Sequence, residues 1–304
     1  MQKTMILALG GNMIKKAREK GKFEQQYKNV DESCEQIIKI IKQGWNVVLT
    51  HGNGPQVGNL LLQQELLKDK IPPIPLDVCG ALSQGEIGYL IQQILRNKLK
   101  KNKIKKKVVT VITQVLVDEK DPEFRSPSKP IGPFYKIKNR SPMVYQSGKG
   151  WRRIVPSPNP MKIIEKEQIK DLIEDGDIVI ACGGGGIPVV EKKGNLHGIE
   201  GVIDKDLASE RLAEGLGIKV MMILTDVDNV YLNYRKSNQK KLKKVTLLEI
   251  KKYQKEGHFP KGSMRPKIES SIRFLENGGE KVYITSPKLA TKCLKGKAGT
   301  ALTR

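Results

Sequence analysis

The sequence predicts an α/β fold built on a mostly parallel sheet, and three observations predict it. Short β-branched or apolar runs alternate with amphipathic stretches along most of the 304 residues, the pattern of strands joined by crossover helices. Glycine-bearing loops stand directly after three of those runs, where parallel α/β sheets place their ligand-binding turns. Between Asp118 and Pro160 the alternation stops. Half of the chain's 16 prolines fall there, so residues 118–160 read as a small subdomain inserted into the α/β body.

Taken in order, Met5 to Leu9 is the first strand; the run is too short, with most lysines after it, for a signal peptide. A helix near Asp31 to Lys42 follows, with Asp31 as N-cap, Ile37, Ile38 and Ile41 near one face, and Gly44 ending it. Strand Asn46 to Thr50, a helix near Val57 to Leu67 and a helix from about Val78 to Lys100 lead into strand Val108 to Val117. Beyond the insertion come helix Ile163 to Glu174, strand Asp177 to Cys182, the run Gly183 to Gly186, and a hairpin turning at Lys193, Gly194 and Asn195. Helix Lys205 to Leu216 precedes strand Lys219 to Leu224. Helix Leu247 to Lys255, loop Gly257 to Ser263, helix Pro266 to Asn277, strand Lys281 to Thr285 and a short C-terminal strand complete the chain.

A hydrophobic content of 38% excludes a disordered chain, and a chain of this length buries roughly 75% of its unfolded surface. Cys34, Cys79, Cys182 and Cys293 lie far apart and form no C-x-x-C pair, and three histidines offer little to complete a zinc set. The expectation is a reducing, cytoplasmic setting without structural zinc. The longest uncharged run, Ile178 to Val190, holds four consecutive glycines and falls short of the roughly 20 residues a membrane span needs.

Lys and Arg number 55 against 32 Asp and Glu, a net charge of +23. Of the basic residues 44 are Lys, seven of them among the ten positions from Lys98 to Lys107. Lysine lacks the fork that base recognition favours, and aromatic residues at 5% leave few stacking platforms. The charge therefore reads as a solvated lysine surface whose field draws small phosphorylated anions.

The three glycine loops are Gly10-Gly11-Asn12, His51-Gly52-Asn53-Gly54-Pro55 and Gly183 to Gly186. Any one could be a plain turn; three together point to convergence on one phosphate-bearing ligand. Standard fingerprints are missing. Gly148-Lys149-Gly150 lacks the spacing and hydroxyl of a P-loop, no G-x-G-x-x-G opens a helix after a strand, and the H-R-D and D-F-G motifs are absent. Phosphate chemistry here must use another architecture.

Eight segments, in order along the chain, resemble carbamate kinase: ALGGN (Ala8 to Asn12), HGNGPQVG (His51 to Gly58), SKPIGPFY (Ser128 to Tyr135), GWRRIVPSP (Gly150 to Pro158), CGGGGIPV (Cys182 to Val189), VIDKD (Val202 to Asp206), TDVDNVY (Thr225 to Tyr231) and GSMRPKIE (Gly262 to Glu269). GGN and TDVD are shared with the wider amino-acid kinase superfamily; HGNGPQVG, KPIGPFY and RRIVPSP are the specific ones. The resemblance implies transfer of a phosphoryl group between ATP and carbamate, giving ADP and carbamoyl phosphate, with Mg²⁺ carried by the nucleotide. In many relatives the flow makes ATP at the end of arginine breakdown. It further implies the amino-acid kinase three-layer α/β/α sandwich as a single domain of residues 1–304, with an eight-stranded mostly parallel sheet, 118–160 as a protruding lid, and a cytoplasmic homodimer that binds no specific nucleic acid and no membrane.

Site roles carried over with the resemblance are these. Gly10, Gly11 and Asn12 would cradle the transferring phosphoryl group, and Gly52, Asn53 and Gly54 would hold the carbamate or carbamoyl end. Lys205 and Lys267 would place ammonium groups on the phosphate oxygens, with Asp206 orienting them and keeping both protonated. Lys129 would reach the phosphoryl group when the lid closes. Thr225, Asp226, Tyr231 and Met264 would hold ribose and adenine, and no protein metal ligand is expected. His51 is open between binding substrate and orienting its loop. Two features depart from the family: Arg265, where relatives carry a small or apolar residue, and the high positive charge. The rival readings are another amino-acid kinase phosphotransferase and a basic nucleic-acid-binding protein on a kinase fold.

Overall fold

The computed structural model describes residues 3–16, 19–138, 141–259 and 264–304, the side chain of Asn12 excepted. Its central sheet has eight strands in the order Lys244–Thr246, Thr300–Thr303, Lys281–Thr285, Val220–Leu224, Thr4–Leu9, Asn46–His51, Ile178–Ile180, Val108–Thr110. Neighbours run parallel except Lys281–Thr285 against Thr300–Thr303. The helices are α1 (Phe23–Ile41), α2 (Gly54–Leu67), α3 (Leu76–Lys101), α4 (Lys166–Glu174), α5 (Lys205–Gly215), α6 (Leu247–Lys255), α7 (Arg265–Glu276) and α8 (Ala290–Leu294).

Strand side chains alternate between faces, and here both faces are apolar. On Thr4–Leu9, Ile6 and Ala8 enter one cluster, where α4 to α7 contribute Ile169, Leu212, Ile250 and Ile272. Met5, Leu7 and Leu9 enter the other, which α1, α3 and α8 cover with Ile37, Ile91, Ile94 and Cys293. The result is the three-layer sandwich expected. With a fully buried Ile or Leu worth roughly 2 kcal/mol, these layers hold the strand ends rigid. The four cysteines are free and buried, and no helix among the described residues is long and apolar enough to cross a membrane.

Several boundaries differ from the sequence reading for identifiable reasons. The first helix begins at Phe23, not Asp31: the Gln25 carboxamide accepts from the N–H groups of Gly21 and Lys22 at 2.9 and 3.1 Å and caps it. Asp31 lies inside α1 and pairs with Lys98 of α3 at 2.9 Å. The run Val108 to Val117 breaks, with Val108–Thr110 in the main sheet and Gln114–Leu116 in a second sheet with Asn195–Gly198, Ile187–Lys192 and Lys162–Ile163. Gln84 clamps the break by donating to Thr113 O at 3.0 Å and accepting from Thr113 N at 2.8 Å. Ile163 belongs to that second sheet, opposite Val115, and the helix starts only at Lys166. The hairpin turns as expected, with φ of 52° at Lys193 and 80° at Gly194. The loop Gly257 to Ser263 lies outside the described residues from 260 onward.

Within the inserted segment Lys129–Tyr135, Gly150–Val155 and Met143–Gln146 form a three-stranded antiparallel sheet. Ile131 and Val155 pack on Val57 and Leu61 of α2. Two family-motif glycines make that contact possible: a Cβ on Gly58 would lie 2.1 Å from Gly132 N, and Gly132 has φ of +71°.

Candidate active site

The site lies where strands Thr4–Leu9 and Asn46–His51 end and helices α5 and α7 begin. Asp204 caps α5, its Oδ1 accepting from Asp206 N at 2.9 Å. Pro266 in the first turn of α7 suits a helix start. The first turns of the two helices deliver Lys205 and Lys267, both buried, to opposite oxygens of one carboxylate: Lys205 to Asp206 Oδ1, and Lys267 to Asp206 Oδ2 at 2.9 Å.

Charge in this cluster is unevenly shared. Burial would raise the Asp206 carboxyl, but the two lysines outweigh it and hold the group well below the ordinary carboxylate range. Burial would lower Lys267, and the charge and hydrogen bond of Asp206 overcome it, so Lys267 is raised. Lys205 stays lowered, by burial first and then by the charge of Lys267, which Asp206 does not fully offset. Asp206 touches both ammonium groups, as expected of a residue that orients them.

The first glycine loop divides its tasks. Gly10 donates its N–H to Leu224 O at 3.0 Å, and a Cβ there would lie 2.7 Å from the same oxygen. Gly10 is thus required by backbone packing, and its N–H is not available to a phosphate. Gly11, in the turn Gly11–Met13, faces open space. The side chain of Asn12 lies outside the described part.

In the second loop, a Cβ on Gly52 would stand 3.4 Å from Lys205 Cδ and 3.6 Å from Gly11 N, which brings Gly11, Gly52 and Lys205 together. Asn53 is buried and donates to Ser83 Oγ at 2.8 Å. Gly54 opens α2, and a Cβ there would lie 3.7 Å from Arg152 Nη2. His51 is buried, and burial, with help from the Lys205 charge, pushes its imidazole down to about 4. The ring is neutral at neutral pH. Nδ1, 3.2 Å from Gly52 O, then donates, which leaves Nε2 as an acceptor with no partner among the described residues. This orients the loop.

The third glycine loop packs against the second. Gly183 to Gly185 are buried, and Cβ atoms on Gly183 and Gly184 would fall 2.5 Å from His51 Nε2 and 2.1 Å from Asn53 Nδ2. Side chains of the second loop occupy the space beside Gly183 and Gly184, and Ile203 and Val115 occupy that beside Gly185 and Gly186. The glycine run supports the second loop, so the second and third glycine loops are in direct contact.

Lys129, at the start of the inserted sheet, pairs with Asp204, so the insertion already reaches the cap of α5. Burial would raise the Asp204 carboxyl, and Lys129 more than reverses it. On the other side Thr225 donates its N–H to Thr285 O at 2.9 Å and its hydroxyl to Asp226 at 3.1 Å, and the Asp226 charge helps to raise Lys267. Met264 packs against the core at the start of α7, and Tyr231 stands in the hairpin Tyr231–Leu232 with Lys240–Lys241, its ring 5.9 Å from Tyr234. No hydrogen bond or ion pair among the described residues joins Tyr231 or Met264 to the lysine cluster. Arg265 is exposed.

Sequence reasoning missed Asp204, Ser83 and Arg152. Asp204 was findable as an Asp directly before a helix that opens Lys-Asp. Ser83 and Arg152 meet the loop only through the fold.

Comparison with known proteins shows the family. Residues 3–286 match the model of the amino acid kinase family. The chain is 47% identical to a carbamate kinase of Pyrococcus horikoshii, covering 100% of both chains, and 49% identical to one of Thermococcus kodakarensis, covering 99% of both. A solved carbamate kinase from Giardia lamblia bound to citric acid superimposes with a TM-score of 0.95 at 42% identity, covering 99% of this chain and 98% of that one. The chain belongs to the amino acid kinase family and, within it, to the carbamate kinases.

Proposed function

We propose that this protein transfers a phosphoryl group reversibly between ATP and carbamate through the residues assembled above, running toward ATP synthesis in arginine breakdown. The buried Lys205–Asp206–Lys267 cluster beside Gly11 and Gly52 carries the reading. In either direction the attacking oxygen, of carbamate or of ADP, is already anionic, and the oxygen whose bond to phosphorus breaks leaves as a stable anion, ADP or carbamate. No acid or base is needed, and a neutral His51 fits that. The protein's task is to align the two oxygens and stabilise the charge on the transferring group, the work of Lys205, Lys267 and the Gly11 N–H.

Thr225, Asp226, Tyr231 and Met264 hold the nucleotide; a Giardia lamblia relative has been solved bound to AMP-PNP. Mg²⁺ arrives as part of the nucleotide substrate. The donor set suits this: Asp204 and Asp206 are engaged by lysines, and no group of three or more His, Cys, Asp or Glu suited to a metal occurs among the described residues. Residues 118–160 act as a lid within one domain, closing Lys129 onto the phosphoryl group and excluding water. Assembly is a cytoplasmic homodimer, supported by an exposed apolar stripe on α3 of Val78, Leu82 and Tyr89. The test is a coupled assay of purified protein with ADP, Mg²⁺ and carbamoyl phosphate: ATP should form, and its absence would refute the reading.

A further inference from the structure

Arg152 and Arg153 are neighbours on strand Gly150–Val155, so their side chains leave on opposite faces. Arg153 is explained by structure, since it pairs with Glu65 of α2 and docks the inserted sheet. Arg152 has no carboxylate partner among the described residues. Its Nε donates to Gly132 O at 3.0 Å, and its guanidinium carbon sits 5.2 Å from the Phe134 ring centre. These contacts fix the stem and leave the two terminal nitrogens without a protein acceptor among the described residues.

Those nitrogens face the substrate loop. A Cβ on Gly54 would stand 3.7 Å from Nη2, whereas one on Gly52 would stand 3.4 Å from Lys205. One end of the loop therefore meets the lysine cluster and the other meets Arg152. Burial pulls the guanidinium down to about 10. The half-buried guanidinium has no counter-charge among the described residues, so an anion arriving from outside would meet an unpaired cation.

We propose that Arg152 recognises the carbamate end of the substrate, its forked nitrogens binding the carboxylate of carbamate and, in the reverse direction, the carbonyl oxygen of carbamoyl phosphate. This rests on the function proposed above and names the residue that distinguishes the two ends of the substrate. A planar carboxylate matches the fork, which an ammonium group cannot reproduce.

The experiment uses Arg152→Ala, Arg152→Lys and Arg153→Ala in the ATP-forming assay, with ADP binding followed by calorimetry. Arg152→Ala should raise KM for carbamoyl phosphate by roughly tenfold or more, while ADP affinity and melting temperature stay near wild type. Added guanidinium ion should restore part of the loss, whereas Arg153→Ala, which removes the contact with Glu65, should show no such rescue. If Arg152→Ala fails to fold, Arg152→Lys carries the test, because it keeps the charge and removes the fork. An unchanged KM at position 152, or an equal loss of ADP affinity, overturns the assignment while wild type remains active. A wild type that forms no ATP overturns the carbamate kinase reading and this assignment with it.

Discussion

Lys267 donates to Asp206 Oδ2 at 2.9 Å, and the other oxygen of the same carboxylate takes Lys205. One carboxylate thus sets the spacing of two ammonium groups carried by separate helices. Asp206→Asn should leave two buried lysines facing each other and lower stability by roughly 3 kcal/mol. Because the Asp206 carboxyl is depressed in the fold, its contribution is fully present above about 3.8 and is lost as pH falls through the depressed value. Urea unfolding at a series of pH values should show a shallower acid limb for the variant, and matching limbs would contradict this.

Lys205→Ala and Lys267→Ala should each lower kcat by at least about a hundredfold, since a preorganised charge on the transition state is worth about 3 kcal/mol. ADP binding should weaken less. Near-normal kcat in both folded variants would remove these lysines from the chemistry.

His51 titrates near 6.5 when exposed and is pushed down to about 4 in the fold. Its neutral form is the one the fold accepts, so the associated stability is present above about 6.5 and is lost as pH falls toward about 4. The full loss is roughly 3 kcal/mol. His51→Gln should flatten the melting temperature over that interval. A profile as steep as wild type would show that other groups govern it.

Lys129 is bound to Asp204 with the inserted sheet docked. Lys129→Ala should depress kcat with ADP affinity almost unchanged, and trypsin cleavage within 118–160 should slow when substrate binds to the wild type. Unchanged kcat together with substrate-independent cleavage would refute a lid that carries a working lysine.

Gly58→Ala would place a methyl group 2.1 Å from Gly132 N, which forces α2 and the inserted sheet apart. A loss of roughly 1–3 kcal/mol is expected, with faster cleavage of 118–160. Wild-type melting and cleavage would show that the contact gives way without strain.

Much of this protein was written in its local patterns. Continuous apolar runs marked Met5 to Leu9 and Lys281 to Thr285, helical spacing marked Leu247 to Lys255, and turn glycine marked the hairpin at Gly194, because each signal is decided by neighbours in the chain. Lys205, Asp206 and Lys267 were singled out by the family resemblance that VIDKD and GSMRPKIE carry. Three things were settled only in the folded molecule. The apolar run Val108 to Val117 could not reveal its break, since Gln84, from another helix, supplies the hydrogen bonds that turn the chain at Thr113. Why Gly183 and Gly184 must be glycine could not be read from the sequence, since what fills their space is His51 and Asn53, more than a hundred residues earlier. Arg152 could not be told from Arg153, because strand alternation sends one to Glu65 and the other to Gly54. Sequence determines what each segment can become; which side chain meets which is decided by long-range packing, where burial and charge act between residues that the chain keeps apart.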